Sequence, residues 1–214
     1  MITAAAPPAL PMRGAARGPV RWAEAFGDGP QAPLLPAEAA HVAGRPERRT
    51  RQFTVARTLA RRALGQLGFA PAPLLPGAGG APVWPDGVVG SITHCDGYTA
   101  CAVAPAGRLA SLGIDAEPAR PLPVGILGLT ASAAERAGLA QLPPGLVPWD
   151  RLLFSTKEAV YKAWYPLTRQ WAPLVEMPVT VCPDGTFTTH RDGQTLTGHW
   201  HHTGGILITT IALP

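Results

Sequence analysis

Hydrophobic residues recur at intervals of three and four in two long stretches of the chain, which predicts two amphipathic helices. The first stretch spans about residues 47–67. The second spans residues 149–167, and Pro166 is expected to end this helix after Tyr165, because proline disfavours a helical conformation in the residue before it. A shorter helix is expected over residues 132–139.

Short runs rich in β-branched and other apolar residues alternate with turn sequences and predict strands. The runs cover residues 88–93, 98–104, 109–115, 179–182, 186–190, 194–200 and 205–212. A helix followed by strands therefore occurs twice, at about 47–110 and at about 149–213. This order predicts an α+β fold with two similar halves, residues 1–110 and 111–214, and a cleft between them.

Two segments have compositions that predict irregular structure. Residues 1–35 are rich in Ala, Pro and Gly, and we expect a weakly structured lead-in in which only residues 22–26 dock on the protein. Residues 71–87 are interrupted by Pro and Gly throughout, yet they contain Trp84. A long loop with a buried aromatic side chain is often functional.

The overall composition is that of a globular protein. Of the 214 residues, 46% are hydrophobic and only 15% are charged, which excludes a disordered polyelectrolyte. The three cysteines lack metal-ligand spacing and form an odd number, so neither a disulfide framework nor a zinc site is indicated. No apolar run reaches the roughly 18 residues that span a bilayer, and we expect a cytoplasmic protein without membrane association.

Positive charge is concentrated in one part of the chain. The net charge is +4, but residues 41–70 contain seven arginines and a single glutamate. Such a segment favours an anionic partner, whether a nucleic acid, a phosphate-bearing ligand or an acidic protein, although a solvated helix face is the commonest role of a charge run. The only two lysines, Lys157 and Lys162, lie in one short motif.

Three carboxylates are candidates for a metal site. Asp115 and Glu117 are two residues apart at the end of a predicted strand, so both side chains lie on the same face. Glu158 on the second long helix adds a third oxygen donor, and such a set suits Mg²⁺. The alternatives are a solvated strand end for the first two, and for Glu158 a capping box with Ser155 or a surface ion pair with Lys162.

Histidines offer weaker indications. His94 follows a predicted strand in a polar loop, where it could donate to a phosphate or simply be exposed. The sequence His-Trp-His-His at residues 199–202 invites a metal site, but adjacent strand residues face opposite sides of a sheet. A histidine-ligated metal is therefore disfavoured.

Several motifs together resemble a known family. They are Gly-Ser-Ile-Thr-His-Cys at 90–95, Gly-Ile-Asp-Ala-Glu at 113–117 and Phe-Ser-Thr-Lys-Glu-Ala-Val-Tyr-Lys-Ala at 154–163. In order and spacing they are similar to the signature motifs of 4′-phosphopantetheinyl transferases of the surfactin-synthetase-activating type. Residues 48–57 and 80–85 resemble the coenzyme A-binding stretches of that family, so the resemblance covers about residues 35–175. The enterobactin-type branch of actinobacterial character is the most similar.

This resemblance implies a fold and an activity. The fold would be a pseudo-two-fold arrangement of two similar α+β halves, with coenzyme A and Mg²⁺ bound at their interface. The activity would be transfer of 4′-phosphopantetheine from coenzyme A to a serine of an apo acyl or peptidyl carrier protein, with release of adenosine 3′,5′-bisphosphate. A monomer is expected, without a nucleic-acid partner.

The resemblance also implies roles for individual residues. The Mg²⁺ ligands would be Asp115, Glu117 and Glu158, and Glu158 would also be the base for the serine, while Lys162 would stabilise or protonate the leaving phosphate. The phosphates of coenzyme A would contact Arg49, Arg57, His94 and Lys157. The nucleotide pocket would be lined by Gly80, Ala81, Pro82, Ser91 and Thr93. One departure is the loop at residues 75–79, which lacks the basic residue that relatives often have, so a phosphate contact would be missing.

Two other functions remain open from the sequence. A nucleic-acid-binding module would use the arginine-rich helix, would bind more weakly as salt rises, and would not depend on Asp115 or Glu158. A carboxylate-metal phosphohydrolase acting on coenzyme A-like nucleotides would use the same acidic residues but would turn over its substrate without a carrier protein.

Overall fold

The computed structural model describes residues 18–191 and 193–214, and it has helices and two antiparallel sheets in an α+β arrangement. The helices are α1 (Pro36–Val42), α2 (Glu47–Gly65), α3 (Ile126–Thr130), α4 (Ala133–Leu139) and α5 (Trp149–Thr168). The strands are β1 (Arg21–Phe26), β2 (Val88–Cys95), β3 (Tyr98–Pro105), β4 (Ser111–Pro118), β5 (Val179–Val181), β6 (Thr186–Arg191), β7 (Gln194–Thr203) and β8 (Ile206–Leu213).

The N-terminal half is a three-stranded sheet with strand order β1-β3-β2, covered by α2. The apolar side of α2 packs on this sheet through Val55, Leu59, Ala60, Ala63 and Leu64, all of them buried. The opposite side of α2 carries charged residues and faces away from the sheet. Burial of the apolar side chains is therefore what holds the helix on the sheet.

The C-terminal half is a five-stranded sheet with strand order β4-β8-β7-β6-β5, and α5 packs across β4 and β8. The closest approach is at Gly113, where a Cβ atom would lie 1.9 Å from the backbone oxygen of Ala159. Only glycine allows β4 and α5 to come this close. The two elements that carry Asp115 and Glu158 are thereby held together.

The two halves meet where β2 lies beside β4. Two hydroxyl groups of β2 accept hydrogen bonds from β4: Ser91 Oγ from the Ile114 N–H at 3.1 Å, and Thr93 Oγ1 from the Ala116 N–H at 3.0 Å. Beneath them an apolar cluster combines residues of both sheets, namely Tyr98, Ala100, Ala102, Leu112, Ile114, Ala116, Ile206 and Ile208. Buried hydroxyls thus take the place of a continuous ladder of backbone hydrogen bonds.

The strand pairing is compatible with the division into two halves expected after residue 110, and that division stays a prediction.

Most of the predicted elements are present, and the differences have physical causes. Within the weakly structured lead-in expected over residues 1–35, the segment expected to dock, residues 22–26, does so as part of strand β1, which pairs with β3; residues 1–17 lie outside the described residues. Helix α1, which follows this lead-in, was not predicted. Pro166 does not end α5, because its missing N–H removes one bond only from the last turn. The helix ends at Thr168, and the residue after it, Arg169, has a left-handed backbone (φ 57°).

Among the residues that the structure describes, no helix has the length and apolar character needed to cross a membrane.

Candidate functional site

Two adjoining cavities lie near the junction of the halves: the larger has residues of both halves in its wall, and the smaller lies within the N-terminal half. The larger, about 500 Å³, lies between β2, the loop before it and α5, and its wall includes Glu158, Tyr161, Lys162 and Tyr165. The smaller, about 320 Å³, lies between β2 and helices α1 and α2, and its wall is basic: His41, Arg45, Arg49, Arg57 and His94. Both cavities include Gly80, Pro82 and Ile92, so they adjoin at the loop before β2.

Asp115 is the point at which α5 and both sheets converge. Its carboxylate is 5% exposed and accepts hydrogen bonds from Lys162 Nζ at 2.6 Å, Ser155 Oγ at 2.8 Å and Thr93 Oγ1 at 3.2 Å. Thr93 belongs to β2 of the N-terminal half, whereas the other two donors belong to α5. A buried carboxylate with three donors is held in one position, so Asp115 fixes the geometry of the junction.

Glu117 and Glu158 are the other two predicted metal-binding carboxylates, and the negative charge of Asp115 acts on both of them. Burial and the negative charge of Asp115 raise the pKa of Glu117, although Arg151 binds its carboxylate at 2.8 Å. Burial, followed by the charge of Asp115, also raises the pKa of Glu158. The carboxylate of Glu158 has no hydrogen-bond partner within residues 18–191 and 193–214 and faces the larger cavity. The site therefore holds more negative charge than its neighbours neutralise.

The alternative interpretations of Glu158 do not fit the structure. Ser155 lies in the interior of α5, which begins at Trp149, so it forms no capping box. Its hydroxyl binds Asp115 instead. Lys162 forms its ion pair with Asp115, which leaves Glu158 without the expected surface pair.

The chemistry of these carboxylates fits a hard cation. The charge of Asp115 contributes to the raised pKa of both Glu117 and Glu158, so added positive charge would stabilise these carboxylates, and Mg²⁺ prefers oxygen donors of this kind. In the described part of the chain, however, no three acidic, histidine or cysteine side chains are already gathered as a set of metal ligands. Two of the carboxylates are instead paired with cations, Asp115 with Lys162 and Glu117 with Arg151.

The smaller cavity is suited to anions. Arg57 is 6% exposed, its guanidinium carbon lies 4.0 Å from the centre of the Phe53 ring, and its Nε donates to the Leu74 carbonyl at 2.6 Å. Burial lowers the pKa of Arg57, and the charge of Glu38 opposes this effect. A buried cation that lines a cavity is an effective partner for a phosphate, because little water competes for it.

His94 connects the basic cavity to the acidic residues. Partial removal from water, followed by the charges of Arg49 and Lys162, lowers the pKa of His94. Arg49 Nη1 lies 3.5 Å from His94 Nε2, and since an arginine can only donate, this nitrogen is the unprotonated one. His94 is therefore neutral near pH 7 and becomes a better proton acceptor when an anion binds beside it.

The segment from Leu75 to Val83 folds back on itself and forms the boundary between the cavities. Gly77 N–H donates to the Ala81 carbonyl at 2.8 Å, and the short helical turn Ala78–Gly80 lies at its tip. The tip packs closely against Tyr165 of α5. The space between them has no room for a side chain at Gly79, since a Cβ there would overlap the Tyr165 hydroxyl. Gly80, Ala81 and Pro82, predicted to line the nucleotide pocket, all contribute to the wall of the larger cavity.

Ser91 and Thr93, also predicted to line the pocket, differ in their positions. Ser91 contributes to the wall of the larger cavity, but its hydroxyl oxygen is engaged by the Ile114 N–H. Thr93 is 3% exposed and is not part of either wall. The structure uses both hydroxyls chiefly to join β2 to β4.

Lys157, which was predicted to contact a phosphate, does not line either cavity. It is fully buried, and its Nζ lies 2.8 Å from the Glu135 carboxylate and 2.9 Å from the Leu174 carbonyl. Burial lowers the pKa of Lys157, and the ion pair with Glu135 opposes that effect. An ammonium enclosed in this way is not available to a phosphate. The phosphate contact expected of Lys157 stays a prediction, and in this structure its ammonium group joins α5 to α4.

Three aromatic side chains of the larger cavity were not predicted as site residues. Tyr161 and Tyr165 lie one turn apart on α5 with ring centres 5.6 Å from each other. Trp84 lines the same cavity and donates through Nε1 to the Gly90 carbonyl at 3.0 Å. The sequence signal was available for Tyr161, which lies three residues after Glu158 and hence on the same helix face.

Comparison with known proteins gives a consistent family. The family model of the 4′-phosphopantetheinyl transferase N-terminal domain matches residues 37–104, and that of the 4′-phosphopantetheinyl transferase superfamily matches residues 111–211. The transferase Svp of Streptomyces mobaraensis is 49% identical over 212 residues, covering 90% of this chain and 86% of the relative. The transferase PptT of Mycobacterium tuberculosis is 42% identical over 207 residues, covering 90% and 91%. The transferase Npt of Nocardia iowensis is 43% identical over 196 residues, covering 83% and 88%. The chain therefore belongs to the 4′-phosphopantetheinyl transferases, and is an enzyme of the type found in these actinobacteria.

Proposed function

We propose that this enzyme transfers 4′-phosphopantetheine from coenzyme A to a serine of an apo acyl or peptidyl carrier protein, in a reaction that requires Mg²⁺. The observation that carries the proposal is that a basic cavity and a larger cavity, whose wall carries Glu158 and Lys162, adjoin at the loop at Gly80–Pro82. A donor with phosphates at one end and an uncharged arm at the other fits such a pair of cavities.

In this proposal the nucleotide end of coenzyme A binds in the smaller cavity. Arg49, Arg57 and His94 hold its phosphates, supported by the basic wall and by the buried position of Arg57. The pantetheine arm extends into the larger cavity, along Gly80, Ala81 and Pro82 and past Ser91. The tyrosines of α5 and Trp84 supply apolar surface with polar edges, which suits an arm of amide and methylene groups.

The pyrophosphate then lies at the junction, beside the carboxylates. Asp115, Glu117 and Glu158 would hold Mg²⁺ there, and the bound ion would neutralise charge on the pyrophosphate. Support comes from the raised pKa of Glu117 and of Glu158, which is caused first by burial and then by the negative charge of Asp115. Lys162 and Arg151, which pair with two of these carboxylates, would have to release oxygen atoms to the ion.

The chemical step needs a base and a stabilised leaving group. Glu158 accepts the proton of the serine hydroxyl as the serine oxygen attacks the phosphorus that carries the pantetheine arm. The bond from that phosphorus to the bridging oxygen breaks, and adenosine 3′,5′-bisphosphate leaves, with Lys162 stabilising or protonating its phosphate. A carboxylate with a raised pKa and no hydrogen-bond partner among the described residues is a stronger base than an ordinary exposed one.

The partner would be an acidic carrier protein, and the arginine-rich surface of the N-terminal half favours such a partner. We further propose a monomer that acts in the cytoplasm. The loop at residues 75–79 has no basic side chain, so the phosphates depend on Arg49, Arg57 and His94.

Product analysis tests this function against a phosphohydrolase that acts on coenzyme A-like nucleotides. The enzyme is incubated with coenzyme A and Mg²⁺, with and without an apo carrier protein, and adenosine 3′,5′-bisphosphate is measured by chromatography. Transfer is supported if adenosine 3′,5′-bisphosphate is released only when the carrier is present and in a one-to-one ratio with the modified carrier. Release at the same rate without carrier would establish hydrolysis instead.

A further inference from the structure

We propose that Glu38 is a positioning residue for coenzyme A, which acts through the backbone of Leu74 to hold Arg57 in the anion-binding cavity. This inference rests on the proposed function, since it assigns to Arg57 a phosphate of coenzyme A. Glu38 lies outside the motifs by which the family was recognised, and its side chain does not line either cavity.

The contacts form a short chain from α1 to α2. Glu38 is fully buried, and its Oε1 accepts the Leu74 N–H at 3.0 Å. The carbonyl of the same residue accepts Arg57 Nε at 2.6 Å. Leu74 is 1% exposed, so neither its N–H nor its carbonyl has water as an alternative partner. If Glu38 releases the N–H, the segment that carries the carbonyl is free to shift, and Arg57 loses its fixed direction.

Glu38 also supplies the negative charge that this cluster of arginines requires. Its Oε2 binds Arg61 Nη1 at 2.6 Å and accepts the Leu35 N–H at 3.1 Å. Arg57 and Arg61 lie one helical turn apart on α2, and like charges at that spacing repel. The single carboxylate therefore keeps two cations compatible in a buried place, while only Arg57 reaches the wall of the smaller cavity.

Leu74 lies at the start of the segment that separates the two cavities. The Leu75 carbonyl accepts the Val83 N–H at 2.9 Å, which closes that segment. Through Leu74, Glu38 thus holds both Arg57 and the beginning of the segment that separates the cavities. We expect its loss to weaken coenzyme A binding with little effect on the chemical step, because Asp115 and Glu158 belong to the other half.

Glu135 provides a matched control. It is a nearly buried glutamate of a short helix in the C-terminal half, it pairs with Lys157 on the following long helix, and it accepts the Val179 N–H at 2.9 Å. Its partners do not reach either of the two cavities. Glu135→Gln therefore removes a buried charge of the same kind without touching the proposed site.

The direct test observes Arg57 itself. In the full-length protein labelled with ¹⁵N in arginine, hydrogen exchange at each Nε–H is followed by NMR, and the Arg57 signal is assigned by its absence in Arg57→Lys. We expect slow exchange in the wild type, exchange at least about tenfold faster in Glu38→Gln, and no change in Glu135→Gln. Equal exchange in the wild type and Glu38→Gln would overturn the proposal, whatever the enzyme's activity.

Steady-state kinetics extend the test to function. In Glu38→Gln the KM for coenzyme A should rise about fivefold with kcat nearly unchanged, and in the double variant with Arg57→Ala the KM should equal that of Arg57→Ala alone. Additive effects, or a loss confined to kcat, would contradict a role through Arg57. A wild type that neither binds nor uses coenzyme A would refute the proposed function, while the exchange comparison would still decide the positioning role.

A variant that fails to fold does not end the test. Glu38→Asp keeps the charge beside Arg61 but shortens the side chain, so its carboxylate no longer reaches the Leu74 N–H. The same faster exchange at Arg57 Nε is expected. Protected exchange in a folded Glu38→Asp protein would show that the contact with Leu74 is not what holds Arg57.

Discussion

Glu38 and Glu135 occupy matching positions in the two halves of the molecule. Each is the third residue of a short helix, and each accepts the N–H of the residue before that helix begins. Each pairs with a cation on the next long helix, Arg61 at 2.6 Å and Lys157 at 2.8 Å, and each accepts a backbone N–H from the segment after that helix. The halves thus share a pattern of contacts, and in the N-terminal half this pattern adjoins Arg57, which binds the Leu74 carbonyl and lines the smaller cavity.

The first prediction concerns the buried pair of Lys157 and Glu135. Replacing Lys157 with Met should lower the free energy of unfolding by about 3–5 kcal/mol, because it leaves a buried carboxylate without its partner. Urea denaturation followed by fluorescence measures this loss. The KM for coenzyme A should stay the same under conditions in which the variant is folded. A rise in the KM for coenzyme A in the folded variant would contradict this prediction and would indicate that Lys157 contacts coenzyme A.

The same pair predicts how stability depends on pH. Burial raises the pKa of Glu135, but hydrogen bonds from Lys157, Val179 and Ser132 outweigh it, so the net pKa lies below the ordinary value of 4.5. The folded state then binds fewer protons than the unfolded state. The stabilisation is complete above pH 4.5 and is lost as the pH falls through the folded pKa. In denaturation experiments between pH 3 and 6, the free energy of unfolding should fall less steeply with decreasing pH in Glu135→Gln than in the wild type. The same pH dependence in both proteins would contradict this prediction.

A third prediction tests the close approach of β4 and α5. Gly113→Ala places a methyl group against the backbone of Ala159, and neither backbone can move without displacing Asp115 or Glu158. We expect a loss of about 3 kcal/mol or more in stability, together with reduced activity. Gly138→Ala is the control, because a Cβ there meets no atom within 4 Å. A Gly113→Ala protein as stable as the control would mean that the two elements are not in direct contact.

A fourth prediction concerns Arg57, whose buried guanidinium lines the anion cavity. Arg57→Ala should raise the concentration of coenzyme A required for half-maximal rate by roughly 10- to 100-fold, the range for a lost charge-assisted hydrogen bond. The kcat should change little. Arg136→Ala, on α4 and away from both cavities, is the matched control and should behave as wild type. A fall in kcat at unchanged KM would place Arg57 in the chemical step.

A fifth prediction is proton uptake by His94. Burial and the neighbouring cations lower the pKa of its imidazole, which is neutral near pH 7 in the free enzyme. A bound phosphate favours the charged form, so coenzyme A binding should take up protons. Calorimetry in buffers with different enthalpies of ionisation measures the uptake, which should disappear in His94→Gln. Uptake that persists in this variant would assign the proton to another group.

The sequence predicted the elements whose pattern is local. Periodicity located α2 and α5 to within a few residues, and turn motifs separated β5 to β8. Strand β1 was missed because its pairing with β3 depends on residues almost eighty positions away. The motifs indicated a site at the junction, but the contact of Thr93 with Asp115 depends on β2 lying beside β4, which no local pattern reports.

Side-chain direction was the other limit. Lys157 and Glu158 are adjacent in sequence, yet successive helix residues point about 100° apart, so one is enclosed by Glu135 and the other faces the cavity. A motif gives the residues but does not say which of them are buried. The role of Glu38 was equally hidden, because its partners are a backbone N–H and an arginine 23 positions away.

Intact-mass spectrometry of a carrier protein tests the central claim most directly. An apo acyl carrier protein is incubated with coenzyme A, Mg²⁺ and either the wild-type enzyme or Glu158→Gln, with a chelator added to a parallel sample. The wild type should add one phosphopantetheine to the carrier serine, the chelator should prevent it, and Glu158→Gln should be slower by a factor of about 10²–10⁴ while remaining folded. Full modification by Glu158→Gln, or no modification of several unrelated carriers by folded wild-type enzyme, would contradict the proposed chemistry of this site.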